Sequence, residues 1–169
     1  LEDRLYTAGY LSPAIAAAFG TLGYVGRASG QDFDVRRDAP YPPYHGVSFR
    51  VAVENQGDIA SRFWLRYKEI NTALKLLEQF LAQLAPGDIC TAWRTPPAGS
   101  AAVSCVEGWR GEIVSYVRFA ADNTIARFYP RDPSIINWPA LEKLTLNNIV
   151  PDFPVCNKSL NGSYSGNDL

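Results

Sequence analysis

The chain has 169 residues, of which 47% are hydrophobic and 20% are charged. This composition is typical of a folded globular domain and excludes a disordered or fibrous protein. Sixteen Lys and Arg against seventeen Asp and Glu leave a formal charge of −1, which provides no attraction to nucleic acid or to an anionic membrane. The longest mainly apolar stretch near the start, residues 14–19, is far shorter than the ~20 residues that span a bilayer. We therefore expect a soluble chain with no direct membrane span and no nucleic-acid partner.

The first half of the chain predicts a short helix, a loop, a short strand and a long helix. Ser12 and Pro13 are typical of a helix start, and Gly20 ends this first helix. Residues 26–44 are interpreted as a loop, because three prolines near its end keep it extended. Residues 49–53 alternate weakly between apolar and polar side chains and predict a short strand.

The strongest pattern predicts one helix over residues 58–84. Asp58 can cap its start, and Pro86-Gly87 ends it. Apolar side chains recur every three or four residues along one face: Ile59, Phe63, Tyr67, Ile70, Leu74, Leu77, Leu81 and Leu84. A second apolar face, with Trp64, Leu65, Leu76 and Phe80, is expected to be covered as well. Such a helix suits the spine of a larger assembly. A coiled coil is the alternative, although the heptads are few and lack flanking charge pairs.

The second half of the chain predicts a β-hairpin and a short helix. Residues 86–107 are interpreted as a long loop, rich in proline and small residues. Residues 111–120 and 124–129 alternate as paired strands joined by a turn at Asp122-Asn123. A structural turn at residues 131–133 precedes a helix that Asn137 caps and that ends at residue 144 or 146. Together these elements predict the α+β class.

The chain's ends and its cysteines support two further interpretations. The chain begins at Leu1, contains no Met, and ends after a Gly/Ser-rich turn with no closing element. We interpret residues 1–169 as a single domain that is a fragment of a larger subunit. Cys90, Cys105 and Cys156 are widely spaced, which does not match a structural zinc site. We expect reduced, mostly buried thiols, with a Cys90–Cys105 disulfide as the open alternative.

Common catalytic motifs are absent from the sequence. There is no G-x-G-x-x-G, no phosphate-binding G-x-x-x-x-G-K-[ST] and no G-x-S-x-G. A Cys-His or Ser-His pair could use only His45, which lies in a Pro- and Tyr-rich turn and is interpreted as a surface residue. No catalytic residue is therefore assigned.

Two polar clusters carry a family resemblance. The first is residues 26–38, G-R-A-S-G-Q-D-F-D-V-R-R-D. The second begins with R-D-P at 131–133 and N-W-P-A-L at 137–141, and ends with S-L-N-G-S-Y-S-G-N-D at 159–168. With the Y-x-x-Y at 41–44 and the long helix, they occur in an order that resembles the C-terminal part of the large subunit of membrane-bound nickel–iron hydrogenases of the formate hydrogenlyase type. The order is also similar to the subunit of respiratory complex I, the NADH:quinone oxidoreductase, that shares this hydrogenase ancestry.

The resemblance implies a metal-binding motif that this chain does not carry. Active hydrogenases of the family end in D-P-C-x-x-C, whose thiolates, with two more from an N-terminal pair, hold nickel and iron, metals that favour sulfur ligands. Matched onto this chain, the two cysteines fall on Ser163 and Gly166. Neither residue supplies a sulfur ligand, so we expect no metal and no other cofactor bound by this chain. The parent complex is expected to use iron–sulfur clusters and quinone.

The resemblance also suggests roles for the charged residues of both clusters. Either they line the former active-site cavity or face a partner, or they form an ion-pair network that holds the loop: Arg27, Asp32, Asp34, Arg36, Arg37 and Asp168. For the closing turn, a functional pocket and a plain structural turn both stay open.

The implied function is that of a redox subunit without nickel, serving quinone-linked or ion-translocating electron transfer. Its expected partners are an iron–sulfur small subunit and membrane ion-pumping subunits, at the cytoplasmic face of the cell membrane. Residues 1–169 alone are expected to be inactive. The alternative is a non-catalytic assembly module that docks an iron–sulfur subunit through the long helix and the Arg27 loop.

Overall fold

The computed structural model describes residues 4–92 and 94–168. Helices and one small antiparallel sheet are both present, which confirms the α+β class. The helices are α1 (Pro13–Phe19), α2 (Gly23–Arg27), α3 (Val35–Asp38), α4 (Ile59–Gln83), α5 (Pro133–Leu144), α6 (Phe153–Leu160) and α7 (Tyr164–Asn167). The sheet is antiparallel with order β1-β2-β3, and its strands are β1 (Ala101–Gly108), β2 (Gly111–Phe119) and β3 (Ile125–Arg131).

The predicted helix boundaries in the first half are confirmed where a polar side chain caps the helix. The Ser12 hydroxyl accepts a hydrogen bond from the Ile15 N–H at 3.2 Å, and Gly20 ends α1 in the left-handed conformation. The Asp58 carboxylate accepts from the Ser61 N–H at 2.8 Å and starts α4. These caps satisfy backbone donors that the first turn of a helix leaves free.

The core lies between α1, α2, the first turns of α4, and the helices α5 and α6. Its apolar residues include Leu11, Tyr24, Leu65, Leu144 and Leu160. Arg62 is fully buried among them. Its guanidinium donates to the Ser159 hydroxyl at 3.0 Å and to the Gly57 and Gly9 carbonyls at 2.9 and 2.7 Å. This one side chain therefore joins α6 to two loops.

The sheet corrects two predictions and confirms a third. Residues 101–107, predicted as loop, belong to β1, which pairs with β2 from Ala101 opposite Arg118 to Gly108 opposite Gly111. Residues 49–53, predicted as a strand, have no strand structure. They lie in a segment that runs beside α4, where the Gln79 amide donates to the Ser48 carbonyl at 3.1 Å. The hairpin of β2 and β3 is confirmed.

The remaining corrections concern proline and short helices. The predicted loop at 26–44 contains α3 and a 3₁₀ turn at Tyr44–Gly46. Helix α5 begins at Pro133 rather than near Asn137, because the Asp132 carboxylate accepts from the Ser134 N–H at 2.7 Å. Proline fits the first turn of a helix because its missing N–H has no helical partner there. Residues 153–160 and 164–167, for which no helix was predicted, form α6 and α7.

Helix α4 buries only part of the face that the prediction ranked second, since Trp64 is 47% exposed. Leu65 and Leu76 are buried, whereas Phe63 and the apolar residues that follow it on the predicted main face are 52–75% exposed. The main face packs inward only at Ile59, which is 4% exposed. Across residues 4–92 and 94–168, no helix combines the length and apolarity needed to cross a membrane.

Candidate functional site

Three buried or half-buried carboxylates meet around Arg27 at the end of α2. The Arg27 guanidinium lies 2.7 Å from the Glu69 carboxylate of α4, 2.9 Å from the Glu107 carboxylate of β1, and 3.5 Å from the Asp34 carboxylate. It also donates to the Phe33 carbonyl at 3.0 Å. The Arg27 side chain is 2% exposed, so these contacts replace water almost entirely.

Arg36 completes this group, which we name the Arg27 cluster: Arg27, Asp34, Arg36, Glu69 and Glu107. The Arg36 guanidinium donates to both Asp34 oxygens, at 2.9 and 2.6 Å. The same carboxylate caps α3 by accepting from the Arg36 N–H at 3.0 Å. Paired bonds of this kind fix geometry as well as adding energy. The cluster therefore holds the α2–α3 loop against α4 and β1.

The pKa values of Arg27 and Glu107 are shifted because the cluster has more carboxylates than cations. Burial opposes the charge on Arg27, but Glu69 and Glu107 outweigh it and hold the Arg27 pKa above its ordinary value. Burial raises the pKa of the Glu107 carboxyl, and Arg27 offsets only part of that rise. Both directions follow because one buried guanidinium is shared by three carboxylates.

A cavity of about 330 Å³ opens beside the cluster, lined by Arg27, Arg36, Glu69 and Glu107 and walled by α4 and Trp109. Arg66 stands at its edge, with its guanidinium 5.0 Å from the Tyr24 ring centre and 5.9 Å from that of Trp109. Guanidinium groups stack favourably on aromatic faces at such distances. Charged walls with an aromatic edge can accommodate a polar ligand or a partner side chain.

Asp32 and Arg37 lie outside the cluster. The Arg37 guanidinium lies 2.6 Å from the Asp32 carboxylate and 2.8 Å from that of Asp38, and all three residues are exposed. Arg37 lowers the pKa of the Asp38 carboxyl through this bond. Exposed pairs add little to stability, but they set the charge of a surface that a partner can reach.

The closing turn packs on α5. The Ser163 hydroxyl caps α7 by accepting from the Gly166 N–H at 3.0 Å, and the Ser163 N–H donates to the Ser134 hydroxyl at 2.9 Å. Gly166 is buried, and a Cβ atom added there would lie 2.5 Å from Cγ of Asp132. Asp168 ends α7 at an exposed position.

A nickel–iron centre does not fit this closing turn. A cysteine at 166 would need the space that Asp132 occupies while Asp132 caps α5, and the hydroxyl at 163 is used by the backbone. Within the described ranges no three His, Cys, Asp or Glu side chains are grouped to hold a metal ion. The three cysteines are free; Cys90 is exposed, Cys156 is buried, and burial raises the pKa of Cys105 to about 11.

Sequence reasoning did not identify Glu69 and Glu107 as partners of Arg27. They lie 42 and 80 positions away along the chain, so no local pattern connects them. One signal was available. Glu69 lies on the second apolar face of the predicted helix, beside Leu76 and Phe80, and an acidic residue there suggests a buried cation nearby.

A known family matches more than half of the chain. The family model described as "Respiratory-chain NADH dehydrogenase, 49 Kd subunit" matches residues 1–98. The chain belongs to this family. The match contains the first polar cluster and the whole of α4, and so confirms the resemblance expected from the sequence.

Individual relatives extend the likeness over almost the whole chain. The carbon monoxide-induced hydrogenase of Rhodospirillum rubrum is 31% identical over 98% of this chain and 46% of its own length. Formate hydrogenlyase subunit 5 of Escherichia coli (strain K12) is 30% identical over 99% of this chain and 30% of its own. A chain in the structure of the membrane-bound sulfane sulfur reductase, an archaeal respiratory membrane complex, matches with a TM-score of 0.86 and 28% identity, over 99% of this chain and 47% of that one. The chain thus spans less than half the length of these relatives.

Proposed function

We propose that this chain is part of the large subunit of a membrane-associated redox complex that works without a nickel–iron centre. The closing turn carries the proposal, because Ser163 and Gly166 supply no thiolate and a side chain added at Gly166 would lie 2.5 Å from Cγ of Asp132. Relatives in hydrogenases and in a respiratory membrane complex support the redox setting. The subunit would lie at the cytoplasmic face of the membrane, against membrane ion-pumping subunits.

The proposed chemistry is electron transfer to quinone, linked to ion translocation. This chain would contribute charged cavity walls through the Arg27 cluster, while iron–sulfur clusters in a partner subunit would deliver the electrons. A buried, hydrogen-bonded cluster suits this role because its geometry is fixed before a ligand arrives. The chain itself would hold no redox cofactor.

The test is turnover by the intact complex. The complex is purified from detergent-solubilised membranes through a tag on this polypeptide, reduced chemically through its iron–sulfur subunit, and offered a soluble quinone analogue. Reduction of the analogue is expected, with no uptake of hydrogen gas. Hydrogen uptake without quinone reduction would contradict the proposal.

A non-catalytic docking module is the second candidate, favoured by the exposed charges of Asp32, Arg37 and Asp38. Arg37 and Arg36 separate the two candidates. Arg37→Glu changes only the exposed surface and should weaken binding of an iron–sulfur subunit if that surface docks it. Arg36→Glu removes the closer of the two cations beside buried Asp34 and should instead lower the melting temperature. Loss of binding in Arg37→Glu with full quinone turnover in the wild type would assign both roles to this chain.

A further inference from the structure

Two arginines stand side by side on strands β2 and β3, beside the turn that joins these strands. Arg118 of β2 is the register partner of Arg127 of β3. Their side chains therefore leave the same face of the sheet, with Cβ atoms ~4.5–5.5 Å apart. Both residues are exposed. We call Arg118 and Arg127 the arginine pair.

Within residues 4–92 and 94–168, no carboxylate forms an ion pair with the arginine pair. The ion pairs of these residues use other cations: Arg4, Arg27, Arg36, Arg37, Lys68 and Arg131. The carboxylates of β2 and of the adjoining turn are engaged elsewhere. Glu112 pairs with Arg131, and Asp122 accepts from the N–H and the hydroxyl of Thr124 at 3.1 and 2.7 Å. Like charges directly opposite each other destabilise a sheet, so the pair is unfavourable in the chain by itself.

Aromatic and apolar side chains continue the same face of the sheet next to the arginine pair. Two positions along, Tyr116 of β2 lies opposite Tyr129 of β3 and Val103 of β1. Tyr129 is 45% exposed and Val103 is 67% exposed, so the described part of the chain leaves this area largely uncovered. Tyrosine and arginine are enriched where proteins contact each other. There the ring supplies apolar area, and the guanidinium binds a carboxylate through two parallel hydrogen bonds.

The number of free cations indicates which kind of anion this face fits. A polybasic segment that binds a membrane surface carries about four to eight Lys or Arg, and a nucleic-acid site gains its affinity by neutralising many phosphates. This face has two unpaired arginines, because Glu112 neutralises the third, Arg131. The chain as a whole has a formal charge of −1 and adds no wider positive field. Two adjacent guanidinium groups match two carboxylates on a protein surface.

We propose that the arginine pair, with the tyrosines beside it, docks an acidic segment of another subunit. Two carboxylates of that segment neutralise Arg118 and Arg127, and so remove the repulsion between the two arginines. This surface is separate from the exposed charges of Asp32, Arg37 and Asp38. The inference rests on the proposed function only in placing the chain within a multisubunit complex, and it needs neither the quinone chemistry nor the loss of nickel.

Zero-length cross-linking tests the docking. A carbodiimide couples a lysine amine to a carboxylate only where the two groups are in contact, so Arg118→Lys and Arg127→Lys are introduced separately into the full polypeptide encoded by the gene. The intact complex is purified through a tag on this polypeptide and treated with the carbodiimide, and the coupled peptides are identified by mass spectrometry. Ala126→Lys is the matched control, because Ala126 is exposed on β3 and its side chain leaves the opposite face of the sheet.

Lysine at position 118 or 127 is expected to couple to an Asp or Glu of another subunit at least about fivefold more than lysine at position 126, because only the first two lie where a carboxylate replaces water around the cation. A charge reversal gives a second measurement. Arg118→Glu/Arg127→Glu keeps two like charges on the sheet but inverts their sign, so the coupled subunit should leave the complex at a lower salt concentration than in the wild type. Ala126→Glu should not change that concentration.

Several results would overturn the inference. Coupling only within this polypeptide, coupling at 118 and 127 no stronger than at 126, or release of the subunit at an unchanged salt concentration would each do so. Absence of coupling to protein, together with protection of the two arginines from phenylglyoxal that is lost when lipid is removed, would assign the pair to an anionic lipid instead. Failure to recover any other subunit with this polypeptide would contradict the proposed function as well, whereas the other results leave that function standing.

Discussion

Replacing Arg27 by Met isolates what the buried ion pairs contribute to stability. Methionine is long and unbranched like the stem of arginine, but it lacks the cation shared by Glu69, Glu107 and Asp34. Asp34 keeps its paired bonds to Arg36, and Glu69 is 19% exposed and can turn toward water. Glu107, at 4% exposure, keeps the hydrogen bond from the Val35 N–H at 3.2 Å but is left as a buried charge without an ion-pair partner.

Removing one partner of a buried ion pair typically costs about 3–5 kcal/mol. We expect the lower end of this range for Arg27→Met because, of the two carboxylates that lose their ion-pair partner, only Glu107 is buried away from water. A second substitution should recover part of the loss. In Arg27→Met/Glu107→Leu no fully buried charge is left without an ion-pair partner, so the two effects should fall short of additivity by at least ~1 kcal/mol.

The effect should also depend on pH in a defined direction. Burial already raises the pKa of Glu107, and loss of Arg27 raises it further. A carboxyl whose folded pKa exceeds its unfolded value takes up a proton on folding, so its penalty is small in acid and grows as pH rises. The destabilisation by Arg27→Met should therefore be smaller at pH 5 than at pH 8.

Urea unfolding followed by circular dichroism measures these differences as shifts in the midpoint. Arg50→Met is the matched control, because Arg50 is exposed and surface changes usually stay within about 0.5 kcal/mol. An Arg27→Met protein as stable as the Arg50→Met protein would refute the view that the cluster holds the loop. A penalty that does not change between pH 5 and pH 8 would refute the role given to Glu107.

Two further substitutions test the closing turn and the exposed pair. Gly166→Cys should destabilise the chain by about 1–3 kcal/mol in thermal unfolding, because the new side chain meets Asp132. The control is Ser165→Cys, which lies at the exposed neighbouring position and should have little effect. Equal melting temperatures for the two variants would show that the turn has room for a thiol at residue 166. Arg37→Gln should raise the pKa of the Asp38 carboxyl toward its ordinary value in an NMR titration, because Arg37 holds it low. The stability that the Arg37–Asp38 pair adds is present above the ordinary pKa of an aspartate and is lost as pH falls through the lowered pKa of Asp38. An Asp38 titration that is the same in wild type and Arg37→Gln would show that the pair does not persist in solution.

The long helix shows what a sequence pattern predicts well and where it fails. Asp58 and the apolar period placed α4 within a residue or two of its observed ends. The apolar period alone did not show which face of α4 turns inward. The buried face has only Leu65 and Leu76 as buried apolar residues, whereas seven apolar residues recur along the exposed face from Phe63 to Leu84. Burial of the inward face depends on α2, α6 and residues 46–54, which are distant in sequence.

Strand β1 and helix α5 failed for different reasons. Strand β1 has small and half-exposed side chains, so its strand character comes from pairing with β2 rather than from its own alternation. In α5 two polar residues compete as caps. Asp132 holds the position, while the Asn137 side chain accepts from the Leu22 N–H at 2.8 Å and links α5 to the start of α2.

The candidate site was predicted in part. The charges at 27, 34 and 36 were identified from one short segment, and the structure brings them together. Their partners on α4 and β1 depend on the folded chain and left no local pattern. At the closing turn the sequence indicated missing ligands at Ser163 and Gly166, and the structure adds the neighbour, Asp132, that fills the space.

The nickel content of the intact complex tests the central claim most directly. The complex is purified through this polypeptide from cells grown with nickel in excess, and its metals are quantified by mass spectrometry against the amount of chain. We predict iron from the iron–sulfur partner and no stoichiometric nickel. One nickel per chain, retained through purification, would contradict the claim that this turn has given up its metal site.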